Sequence, residues 1–208
     1  IALVLGGAVI YGRALPPEPR TAVAFDGALE ATLPPGWNAG AEGDQWVAKR
    51  PRLGGVAPEV RVRRLGAFDA AQRSTFFDLE SARLLERRRA ARDAYRTLGS
   101  EERNAFGGLP ASLLLFAAAA EPAGARAGAP TVPTIVEGVD ALALGTDGVG
   151  WHVLAQAPSG DDEARADRDA LLASLRLLAD AAHVALPAAT PAEAAPADAA
   201  GTGAAAHG

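Results

Sequence analysis

Between Thr21 and Leu186 the apolar residues recur at every second position in most segments and at every third or fourth in two. Strands of that kind have one face to bury, helices have one stripe, and each must be covered by the other. TAVAFDGALEATLPPGW holds two alternating runs around Asp26-Gly27, the pattern of a hairpin, and Pro34-Pro35-Gly36 ends the second. DQWVAKRP and EVRVRRL read as two further strands. In the second, Val60 and Val62 point to one face while Arg61 and Arg63 point to the other. The period then lengthens. From Asp69 to Leu98 there is no proline or glycine, and Phe77, Leu84, Ala91, Tyr95 and Leu98 fall near one helical stripe that Gly99 would end. LPASLLLFAAAA, apolar on both faces, reads as a central strand, and VDALALGTDGVGWHVLAQA as a hairpin turning at Thr146, Asp147 and Gly148. SGDDEARADRDALLASLRLLAD closes the unit as a helix, capped by Ser159 or Asp161, with Leu171, Leu172, Leu175 and Leu178 as its buried stripe. The order predicts an α+β domain, an antiparallel β-sheet packed with two amphipathic helices.

The ends read differently. IALVLGGAVIYGRA has a glycine pair, but no βαβ pattern follows, and Pro16-Pro17 would stop the helix that a dinucleotide turn needs. A signal-peptide core has this length but is removed from a mature chain. The reading adopted is a transmembrane helix that enters the sequence part-way, residues 1–15, in which Ala8, Tyr11 and Gly12 pack against a partner helix. A buried edge strand is the alternative. Residues 16–20 then form a stiff proline-rich linker, and residues 21–186 the domain. Residues 187–208, rich in alanine and proline, have almost nothing to bury and are expected to be disordered.

Composition narrows function by exclusion. A net charge of −5 and a pI near 5.2 speak against nucleic acid as partner. With no cysteine there are no disulfides, thiolate metal sites or lipidated cysteine in the sequence.

Motifs for chemistry are few. His152 follows Trp151 in a strand, so the two side chains take opposite faces. His183 follows the last helix and His207 lies near the end, and none of the three has zinc-site spacing. There is no Gly-x-Ser-x-Gly elbow, phosphate loop or calcium loop. DDEARAD is explained by helix capping more simply than by a cation, and Asp147 by its turn. The long helical run carries seven arginines against five acids, a local excess of positive charge in an acidic chain. The acids are interleaved, which suits a solvated helix with side-chain pairs. The alternative reading of this helix is a docking surface of Arg83, Arg87, Arg88 and Arg92 for anionic headgroups or an acidic partner.

The turn at Leu33 to Trp37 (LPPGW), the strand QWVAKRP, the lead-in Gly108-Leu-Pro-Ala111 and the helix DRDALLASLRLL together resemble the PsbP-like superfamily of extrinsic photosystem subunits and exported bacterial proteins. The resemblance covers residues 21–180 and implies αβα layers and a non-catalytic role. The function expected is an accessory or structural subunit of an integral-membrane protein complex, photosynthetic or respiratory. It would be single-pass in the bilayer, with its domain on the periplasmic side and with no cofactor, metal or nucleic acid. Unlike the lipoprotein members the chain has no cysteine, and Arg13 and Arg20 follow the apolar run, which the positive-inside rule would place in the cytoplasm. Two alternatives stand beside it. One is a binding module for a small apolar ligand, with Trp37, Trp46 or Trp151 lining a deep pocket. The other is a hydrolase using His152 with a nearby acid or serine.

Overall fold

The computed structural model describes residues 18–52, 55–69, 73–90, 94–120 and 132–178. The first hairpin turns at Asp26-Gly27 as its residues require. Strand β1 (Arg20–Ala24) pairs antiparallel with β2 (Leu29–Leu33), Arg20 opposite Leu33 and Ala24 opposite Leu29. Phe25, Asp26 and Gly27 all take positive φ, costly for Phe25. Its ring is held edge-on to Trp151 at 5.4 Å, while the Arg64 guanidinium covers both rings and donates to the Phe25 carbonyl oxygen at 3.0 Å.

Strands β3 (Asn38–Glu42), β4 (Gln45–Lys49) and β5 (Glu59–Ala67) form an antiparallel meander. Helix α1 (Arg73–Ala90) follows, then the hairpin β6 (Arg96–Ala105) and β7 (Leu109–Ala120). A second hairpin, β8 (Thr134–Leu144) and β9 (Val149–Pro158), leads into α2 (Asp162–Ser174) and the short β10 (Arg176–Leu177). A seven-stranded sheet runs β3-β4-β5-β9-β8-β7-β6, and a three-stranded one β1-β2-β10. The α+β class with antiparallel sheets and two helices is observed, and β7 lies inside the sheet as its two apolar faces predict.

Strand parity assigns the layers. Val60, Val62, Ala141, Trp151 and Val153 face α2 and the small sheet in the main core, with Leu29, Trp37, Leu171 and Leu175 opposite them. Arg61, Arg63, Asp140 and His152 belong to the other face, under α1. Phe76, Glu80 and Leu84, one turn apart, are the buried row of α1, and Phe76 packs on Leu142 and Leu144. Asp161 caps α2, accepting from the Ala164 amide at 2.9 Å.

Several expectations are corrected. The helix expected to reach Leu98 ends at Ala90, and Arg96–Ala105 is an edge strand with Leu98 exposed. Gly99 marks a register shift, packed against Leu115, rather than a helix end. The last helix stops at Ser174, so Leu175 and Leu177 are buried from extended backbone and Leu178 is exposed. Strand β3 was not foreseen, nor was the division into two sheets. Among the described residues no helix is long and apolar enough to cross a membrane. The expected anchor, with Ala8, Tyr11 and Gly12, lies outside the described residues, as does the segment from Pro187 onward.

Candidate functional site

Asp140 sits in the apolar strand β8 and is completely buried. A lone carboxylate there would lose its hydration without return, so it has to be surrounded by donors. His152 Nε2 lies 2.9 Å from Oδ1, and the Tyr95 hydroxyl donates to Oδ2 at 3.0 Å. Arg88 adds Nε to Oδ2 and Nη2 to Oδ1, both at 3.3 Å. The register explains the histidine: Asp140 stands opposite Leu154 and His152 opposite Leu142, so the two are diagonal neighbours on one face. Arg88 comes from the last turn of α1, and Tyr95 from the segment that follows it.

Burial pushes the Asp140 carboxyl up, but the His152 hydrogen bond and the Arg88 charge outweigh it and hold it below the usual carboxylate range. The Tyr95 hydroxyl is raised well above its ordinary value, by burial first and then by the adjacent Asp140 charge. It stands as a donor to Asp140. Tyr95 also stacks on Phe116, centroids 5.0 Å apart and planes 20° from parallel, with the Arg88 guanidinium 5.5 Å from the Tyr95 ring centre. Gly138 makes room for Phe116, since a Cβ there would stand 2.8 Å from the ring.

Arg88, Tyr95 and His152 of this cluster line an open cleft of about 890 Å³ between α1 and the sheet. One wall is polar, with Gln45, Glu59, Arg61 and Arg63 from β4 and β5. The other is apolar, with Phe116, Ala118, Ala120, Val136 and Leu154. Leu84, Arg87 and Arg88 overhang it from α1. Arg61 binds Glu59 at 2.9 Å, and the other Glu59 oxygen accepts from Gln156 at 2.8 Å. That hydrogen bond to Glu59 raises the Arg61 guanidinium above its already high value. Arg63 differs: its Nε is buried with no hydrogen-bond partner among the described residues.

The residues singled out from sequence divide between this cleft and other places. Of the docking arginines, Arg83 pairs with Glu80 one turn back, Arg88 is held by Asp140, Arg87 overhangs the cleft and Arg92 lies outside the described residues. Trp37 and Trp151 are packed in the main core on the opposite face, and so do not line the cleft. Trp46 is buried too, and forms part of a second groove of about 620 Å³ between β1 and β3. His152 has an acid beside it, but among the described residues no serine or threonine lines the cleft, and the Tyr95 hydroxyl is engaged. The acids of DDEARAD are taken up by capping and by arginines, Arg52 on Asp161, Arg165 on Asp162 and Arg50 on Glu163 and Asp167. Asp147 accepts from the Val149 amide within its turn, as expected. His183 and His207 lie outside the described residues, and among those described no three His, Asp or Glu side chains gather as a metal site.

Asp140, Tyr95 and Arg63 were not foreseen as a site. One signal was present for the first: a single carboxylate inside VDALALG must find donors wherever that strand is buried.

No family model matches the chain, and no curated protein matches it either. Among solved structures, the Ran-binding protein Mog1p of Saccharomyces cerevisiae is similar at 15% identity and TM-score 0.48, over 77% of this chain and 96% of that one. A point mutant of Mog1 gives 14% and 0.49, over 80% and 100%. A protein from Bacteroides thetaiotaomicron gives 10% and 0.46, over 77% and 49%. The PsbP-like membership expected from LPPGW and GLPA is corrected, because no family model supports it.

Proposed function

We propose that the protein is a non-catalytic binding module that holds a small ligand with an apolar body in the cleft between α1 and the seven-stranded sheet. The observation that carries this is the cleft itself, about 890 Å³ with apolar residues from Phe116 to Leu154 along one wall. The non-catalytic part rests on Asp140, whose partners are all donors that position it, with no nucleophile beside His152 in the cleft among the described residues. A role as docking subunit has less to support it on α1, since Arg83 and Arg88 are already paired within the fold. We infer attachment to a membrane complex only from the apolar run before Arg13, and release of the native protein from membranes by a carbonate wash would overturn that setting.

The ligand reading is tested with the neutral probe N-phenyl-1-naphthylamine. Its fluorescence should rise and shift to the blue on binding. Ala120→Trp, which fills the apolar wall from a partly exposed position, should abolish the change while the protein still melts cooperatively. No change with the original protein, or the same change with the filled cleft, would remove the reading.

A further inference from the structure

The four arginines of the cleft are not equivalent. Arg61 is neutralised by Glu59, and Arg88 by Asp140 beneath it. Arg63 rises from the sheet between Gln45 and His152, its register neighbours on β4 and β9, and makes no ion pair with a described residue. Arg87 overhangs the same cleft from α1 and likewise makes none among the described residues. A buried guanidinium N–H with no acceptor is unfavourable unless something enters to accept from it. Among the described residues the cleft thus offers two cations without an ion pair, one from the sheet and one from the helix, beside an apolar wall.

Resting on the binding-module reading above, we infer that the ligand is an amphiphile with an anionic head, a carboxylate or a phosphate. The head takes Arg63 from the sheet and Arg87 from the helix, and the apolar body lies against Tyr95, Ala120 and Pro133, which are exposed or partly exposed along the cleft. The guanidinium fork suits both head chemistries, because each presents two oxygens in a plane that two parallel N–H groups can reach. His152 and Gln45 stand beside Arg63 and complete the polar end, and Tyr95 stacked on Phe116 gives the body a flat surface.

The experiment compares decanol, decanoate and decyl phosphate, each below its micellar concentration, as competitors of the neutral probe. Both anions should displace it at concentrations about tenfold to a hundredfold lower than decanol, the range expected for hydrogen bonds to a charged group. The tighter of the two anions identifies the head. Arg63→Gln and Arg87→Gln should bring the anions down to the level of decanol and leave decanol unchanged, while Arg63→Lys should restore part of the difference. Decanol binding as tightly as the anions, or all three weakening together in the glutamine variants, would overturn the anionic head and leave the binding module standing. Failure of the probe itself to bind would instead remove the module.

Discussion

Arg88 reaches from the last turn of α1 to Asp140 in the interior of the seven-stranded sheet, with Nε and Nη2 each 3.3 Å from a carboxylate oxygen. At the other end of the helix Phe76 is packed on Leu142 and Leu144. The helix is therefore fastened at one end by apolar contact and at the other by charge, and the cleft opens beside the charged end. The arrangement explains why the inward row of α1 is only partly apolar.

Removing the carboxylate should be severe. Asp140→Ala leaves Arg88, Tyr95 and His152 facing a void, and breaking a buried pair in this way costs about 3–5 kcal/mol. Asp140→Asn keeps two acceptor sites and should cost less. Urea unfolding followed by tryptophan fluorescence gives both values, and a loss under about 1 kcal/mol for the alanine variant would show the cluster to be dispensable.

Stability should fall at both ends of the pH scale through the same cluster. The folded Asp140 carboxyl is held below its unfolded value of about 4, so its contribution is complete above that value and is lost as the pH falls through the folded one. Tyr95 is raised in the folded state, so its contribution is complete below the unfolded value of about 10 and is lost as the pH climbs beyond it. Urea midpoints measured across the pH scale should show both limbs. Tyr95→Phe should flatten the alkaline limb, and Asp140→Asn the acid one.

Gly138→Ala tests how closely β8 is approached. A Cβ there would lie 2.2 Å from the Ala155 carbonyl oxygen as well as 2.8 Å from the Phe116 ring. A side chain can turn aside, but a backbone oxygen in a ladder cannot. The variant should lose at least about 1–3 kcal/mol, and Phe116→Leu in the same chain should not restore it. Thermal melts of the single and double variants decide the matter.

Trp37 separates packing from hydrogen bonding in the main core. It is wholly buried, and its Nε1 donates to Asp167 at a long 3.4 Å. Trp37→Phe keeps most of the ring and should lose about 1 kcal/mol or little more, whereas Trp37→Ala should lose about 3–5 kcal/mol. Chemical denaturation of the pair gives the ratio, and near-equal losses would mean that the hydrogen bond dominates.

Alternation with clear turn residues was the most readable part of the chain. Asp26-Gly27 and the Thr146 to Gly148 turn placed two hairpins, Val60 and Val62 were separated from Arg61 and Arg63, and Trp151 from His152. Arg96–Ala105 was misread because an exposed edge strand of polar residues has no alternation to display, and the arginine-rich run before it continued into it without a break. The second glycine signal, Gly99, was real but belonged to a bulge. The site was hidden for another reason: Arg88, Tyr95 and His152 lie up to 52 positions from Asp140, and only the fold of β8 and β9 under α1 brings them together. What the sequence did contain was the unsatisfied demand of Asp140, and a buried carboxylate calls for donors before their identity is known.

The small sheet has a mechanical meaning. β1 and β10 both run antiparallel to β2, one on each side of it, so they are parallel to each other. A pull on Arg20 and on Leu178 therefore draws the two outer strands in opposite directions along their own axes, loading the cross-strand bonds in shear. β1 resists through five register pairs and β10 through two, supplemented by the Leu177 amide on the Phe106 carbonyl and the Leu178 amide on that of Ala28. Under tension the chain would yield first at β10, freeing the segment after α2 while the seven-stranded sheet and its cleft stayed whole.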